Sequence, residues 1–155
     1  MLEASAVYNL ALLAFIPTAI MGIYYDFRHR EVPVGTAFPA ILGATIMLGA
    51  LAVINIELAL IYSIFVVAFF IVGFIMYSRN MAGPEDVWSM MLYAATPGGA
   101  SIILMGGGLS LVHVVWRRLR HEENNTYENY SYYPYPIVAY FGIAYFVYLI
   151  YLVLY

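Results

Sequence analysis

Apolar and polar positions along this chain show little amphipathic alternation; long apolar runs are set off by short polar breaks. About 20 apolar residues cross a bilayer as a helix. Residues 5–25 form the first such run, ended by Asp26-Phe27-Arg28-His29-Arg30-Glu31. Residues 34–54 and 58–77 follow, joined by a tight turn around Asn55 and Glu57. Residues 78–85 read as a polar loop, and 86–96 are apolar but short, stopped by Pro97-Gly98-Gly99. Residues 100–116 come next, Gly-rich at Gly106-Gly107-Gly108. A charged, Tyr- and Asn-rich stretch, 117–133, precedes the last run, 136–155.

Residues 86–116 read either as one broken helix, giving five spans, or as a hairpin at Pro97-Gly98-Gly99, giving six. The basic residues choose between them. All six are arginines: Arg28, Arg30, Arg79, Arg117, Arg118 and Arg120. Six spans with the N-terminus outside put every arginine in the first, third and fifth loops, on one face. Five spans would strand the last three across the membrane. The positive-inside rule therefore predicts six transmembrane helices with both termini outside. Eleven residues in the fourth rise about 16 Å, roughly half the hydrocarbon core. That helix is expected to start below the headgroups or to line a wet cavity, because exposed backbone is not tolerated in lipid.

Composition agrees with this all-α, polytopic membrane fold. The 155 residues are 65% hydrophobic and 10% charged, with a mean hydropathy of +0.85. No soluble domain of this length has an interior for so much apolar surface. Residues 1–155 are read as one domain in the plasma membrane, with no cleavable signal peptide. The chain has no cysteine, which excludes disulfides and thiol chemistry. A net charge of −3 implies no nucleic-acid partner.

Within this framework two carboxylates stand out. The first helix runs inward and ends at Asp26; the fourth starts at Asp86 on that same inner face. Ionisable groups at membrane depth are costly and often functional. Two carboxylates sharing a site cannot both ionise easily, which leaves one acid and one base. Such a pair can take a proton from water and polarise a peptide carbonyl. The competing reading is structural. Asp86 suits a helix N-terminus, and Asp26, beside Arg28 and Arg30, suits a solvated loop. By helix-end polarity Asp86, at an N-terminus, is expected to carry the negative charge and Asp26 the shared proton.

The stretches "YYDFRHREVPV" and "GPEDVWSMMLYAATP" resemble the archaeal type IV prepilin and preflagellin peptidases, membrane aspartyl proteases of the GxGD class. The resemblance rests on Asp26 followed by Val32-Pro33, on Gly83 three residues before Asp86, and on "PYPIVAYFG" opening the last helix with Pro134, Pro136 and Gly142. It implies a catalytic pair of Asp26 and Asp86, with Gly83, Glu85, Pro136 and Gly142 as cleft or motif positions. It also implies an active site at the cytoplasmic face, no metal and no cofactor. The implied substrates are prepilin-like or preflagellin-like proteins, with a short basic leader and a hydrophobic helix entering from the bilayer. Glu85 at the third motif position, and Trp88 where a lysine often stands, favour an alternative: a non-catalytic membrane subunit of a pilus or secretion assembly.

Other chemistry reads weakly. His29, His113 and His121 do not cluster as ligands. Gly106-Gly107-Gly108 lacks the Lys-Ser/Thr of a phosphate loop and reads as small residues for close helix approach. The sequons at Asn124 and Asn129 read as chance in an Asn-rich loop.

Overall fold

The computed structural model describes residues 2–29, 32–79, 82–119 and 136–154. All regular structure among them is helical: α1 (Leu2–Leu13), α2 (Phe15–His29), α3 (Phe38–Ile54), α4 (Ile56–Ser78), α5 (Pro84–Ala94), α6 (Gly99–Leu119) and α7 (Ile137–Leu154). α1 and α2 together make the first of five segments long and apolar enough to cross a membrane. α5, of 11 residues, is the short fourth helix. The result is an all-α polytopic bundle of five such segments with the short α5 packed among them. The sequons and Arg30, Arg120 and Pro134 lie outside the described residues.

The first span breaks at Ala14, and Pro17 explains the break. Proline has no N–H to give the carbonyl four residues back, and its ring crowds that turn. Ala14 N–H closes a tight turn on the Ala11 carbonyl (3.2 Å), while the Tyr145 hydroxyl, from α7, donates to the Leu12 carbonyl.

Two boundaries differ from the sequence reading. The first helix does not end at Asp26 but continues to His29, because neither Phe27 nor Arg28 breaks a helix. The second span does not begin as an α-helix at Val34. Val34–Ala37 is a 3-10 turn, and α3 starts at Phe38. Pro39 sits in the first turn of α3, where its missing N–H costs nothing. No side chain of α3 itself caps this start. Thr18 of α2 does so: its hydroxyl accepts from Ala40 N (3.2 Å) and donates to the Thr36 carbonyl (2.7 Å).

α3 and α4 form a tight hairpin in which Asn55 caps α4 by accepting from Leu58 N (3.0 Å). α5 returns against α4, with Val87 against Gly73, and also packs on α6, α7 and α3. Seven of its 11 residues are buried, so a short helix survives in apolar surroundings because protein encloses it. The chain then reverses at Thr96–Gly98 into α6, confirming a hairpin rather than one broken helix. That turn lies below the end of the bundle, level with the second turn of α4, where the Tyr62 hydroxyl donates to the Pro97 carbonyl (3.1 Å). Irregular backbone at this depth is tolerated because protein groups satisfy it. In the glycine run, only Gly106 lets helices meet. A Cβ there would lie 3.0 Å from the backbone of Tyr140 and Phe141, whereas Gly107 and Gly108 face open space.

The core sits where α2, α5 and α7 converge. Rings of Phe15, Tyr93, Phe141 and Tyr145 pack with centroids 5.7–6.2 Å apart.

Candidate active site

From this aromatic plug, α2 runs toward one end of the bundle, and α5 and α7 start from that same end. The C-terminal turn of α2 thus meets the first turns of α5 and α7. Asp26 and Asp86, the only two aspartates in the chain, both lie here. They are buried, at 5% and 6% exposure. The solvated-loop reading of Asp26 is therefore excluded.

Each carboxylate is held by a backbone N–H at a helix start. Asp86 is the third residue of α5 and accepts from Gly83 N (2.8 Å), reaching back to the residue that precedes its own helix. Asp26 does the equivalent for another helix. Its Oδ2 accepts from Ala139 N (2.8 Å), the third residue of α7. Pro136, which precedes α7, brings no side-chain acceptor, so the free N–H groups of that first turn need a partner from elsewhere. The expected asymmetry between the aspartates is thereby offset. Both carboxylates, not only Asp86, sit at the positive end of a helix.

Close packing makes the Asp26 contact possible. Gly22, one turn before Asp26, faces Val138, whose Cγ1 would lie 3.0 Å from a Cβ at that position. A Cβ on Gly142 would lie 3.0 Å from the Ala19 carbonyl and 2.9 Å from Ile23. Any larger residue at either position would push α7 off α2. Pro136 is buried, and its carbonyl accepts from Tyr140 N (3.2 Å). Pro136 and Gly142 thus set the position of α7, which in turn sets Asp26.

The backbones of α2 and α5 stand apart, with no Cα of one within 8 Å of the other, and the two helices meet through the rings of Phe15 and Tyr93 in the aromatic plug. The 3-10 turn Val34–Ala37 packs against both and closes the space between them on one side. Glu85 and, more weakly, Asp26 lie within Coulombic range of Asp86 as like charges. Glu85 is half-buried, and its carboxylate folds over Gly83, where a Cβ would come 2.3 Å from Oε1. Gly83 therefore leaves room for the Glu85 carboxylate, and its N–H is committed to Asp86. Among the described residues no group of three His, Asp or Glu side chains could hold a metal.

Sequence reasoning missed Ala139 and Gly22. The available signal was the start of α7, where Pro136-Ile137-Val138-Ala139 supplies no Ser, Thr, Asp or Asn to cap a helix. No family model matches the chain, and neither a curated protein nor a solved structure does. The fold and the site define a class: a multi-pass helical membrane protein with two buried, backbone-bound aspartates at one end.

Proposed function

We propose that this protein is a membrane aspartyl endopeptidase that removes the leader from prepilin-like or preflagellin-like substrates at the cytoplasmic face. One observation carries the reading: both aspartates are buried at the same end of the bundle, on different helices, within electrostatic reach of each other. Arg28 in the last turn of α2, Arg79 at the end of α4, and Arg117 and Arg118 in the last turn of α6 all stand at that end, which supports a cytoplasmic face by the positive-inside rule.

The chemistry needs one carboxylate ionised and one protonated. The ionised group takes a proton from a water lying between α2 and α5, and the hydroxide forms a bond to the peptide carbonyl carbon. The protonated group donates to the carbonyl oxygen as charge develops there. Collapse of the tetrahedral intermediate breaks the C–N bond: the leaving nitrogen takes the proton that came from water, and one hydroxyl returns its proton to the carboxylate that had donated it. On this reading, that water and the scissile peptide lie between the first turn of α5 and the last turn of α2. Helix N-termini on both sides stabilise negative charge.

A second reading has its own observation. Each aspartate caps a helix start, a role that needs no catalysis, so the chain could serve as a non-catalytic subunit. Asparagine separates the two readings, because its oxygen still accepts a backbone N–H but cannot transfer protons. The test is co-expression with candidate prepilins, scoring leader loss by mass spectrometry. Cleavage by the native chain and none by Asp86→Asn supports the peptidase. No cleavage of any candidate, or equal cleavage by both forms, would contradict it.

A further inference from the structure

We propose that His113 and Tyr140 form a positioning pair that fixes the first turn of α7, and through it the carboxylate of Asp26. His113 lies in α6, an otherwise apolar helix up to Trp116, where an imidazole is costly unless hydrogen-bonded. Its Nδ1 lies 2.5 Å from the Tyr140 hydroxyl, and the two rings meet edge to face with centroids 5.8 Å apart. The Tyr140 ring also meets Phe27, 5.7 Å away and nearly perpendicular. Tyr140 is therefore gripped from α6 on one side and from α2 on the other.

The chain positions give this grip its effect. Phe27 follows Asp26, and Tyr140 follows Ala139, the residue whose N–H binds the Asp26 carboxylate at 2.8 Å. One contact thus flanks the other along both helices. The first turn of α7 has no side-chain cap of its own, so its N–H groups are ordered only as well as that turn is held. Gly106 brings the α6 backbone against Tyr140 and Phe141, which sets the distance the imidazole must span. The hydrogen bond forms with either tautomer: Tyr140 donates to a bare Nδ1, or a protonated Nδ1 donates to the hydroxyl oxygen. The pair acts on Asp26 through α7 and touches no substrate.

This inference rests on the reading of Asp26 as a catalytic residue, but one of its tests does not. With isotope-labelled aspartate, infrared spectroscopy of the full chain in lipid nanodiscs sees only Asp26 once Asp86 is replaced by Asn. Adding Tyr140→Phe, which removes a single oxygen, is expected to shift the Asp26 carboxyl band. His113→Leu should shift it equally, while His113→Asn, whose side-chain oxygen stands where Nδ1 stood, should restore it. In cleavage of a co-expressed or purified prepilin, Tyr140→Phe and His113→Leu are expected to lower kcat about 10-fold with KM unchanged, as for a catalytic group displaced by a fraction of an ångström. His113→Asn should recover most of that loss. An unchanged Asp26 band in Tyr140→Phe, or equal loss in His113→Asn and His113→Leu, would overturn the proposal. If the native chain cleaves nothing, the peptidase reading fails, and the infrared comparison still decides the positioning role.

Discussion

Thr18 and Asp26 lie two turns apart on the buried stripe of α2 and do the same task for two different helices. Thr18 accepts from the third residue of α3, Asp26 from the third residue of α7. A neutral hydroxyl is sufficient for the first. It fills its remaining valence by donating to the Thr36 carbonyl and brings no charge into the bundle. The second site uses a carboxylate, in a protein only 10% charged, and places it near a second carboxylate that repels it. Capping alone does not call for that cost, since Ser, Thr, Asn and Asp cap with similar strength. What Asp26 adds over Thr18 is the capacity to hold and release a proton. Two tyrosines make the same point from the acceptor side. Between the core and the turn at Pro97, the carbonyls of Leu12 and Pro97 are met by the hydroxyls of Tyr145 and Tyr62, again without charge.

The contrast can be broken at several places. The largest effect is all-or-none: cysteine replacing Glu57, at the tyrosine end, should react with an impermeant maleimide from outside the cell. Cysteine replacing Ser78, at the aspartate end, should react only after permeabilisation, and the reverse pattern would put the site on the wrong face. Next is Asp26→Thr, which converts the α7 cap into the kind that α3 uses. The protein should remain folded while cleavage falls about 10²–10⁴-fold, the usual contribution of an acid–base group. Gly142→Leu drives a side chain into the Ala19 carbonyl. An unfolding titration in mixed detergent should show a loss of about 1–3 kcal/mol, and cleavage should fall with it as Asp26 moves from Ala139. Smallest is Thr18→Val, which removes the α3 cap and costs about 0.5–2 kcal/mol. It should leave kcat unchanged; a fall in kcat as large as that of Asp26→Thr would erase the distinction between the two caps.

Much of this arrangement is legible in the sequence because lipid imposes a simple rule. A run of apolar residues of the right length is a span, and the arginines choose the hairpin at Pro97-Gly98-Gly99 over a single broken helix. The shortness of the fourth helix follows from the same stop. What the pattern does not reveal depends on contacts between spans. Pro17 announces a break in the first helix, but the Tyr145 hydroxyl that donates to the Leu12 carbonyl beside that break comes from 133 residues away. Hydrophobicity does not distinguish Gly106, which admits α7, from Gly107 and Gly108, which do not. The extension of α2 through Asp26 and the 3-10 turn before α3 were also hidden, because charged residues beside a span look like a loop whether or not the helix continues. Within the site, motif spacing identifies Asp26 and Asp86. The backbone groups that hold them come from Gly83, which the motif includes, and from Ala139, which no side-chain pattern marks.

The central claim is that Asp26 and Asp86 act as one unit, and cleavage by the single and double asparagine variants tests it most directly. All three keep a backbone-accepting oxygen at each position, so each should be recovered folded from the membrane. With a co-expressed prepilin followed by mass spectrometry, Asp26→Asn, Asp86→Asn and the double variant should lose activity to the same residual level. Glu85→Gln, which leaves both aspartates in place, should remain active. Turnover retained in either single variant, or a double-variant loss equal to the product of the two single losses, would contradict the account.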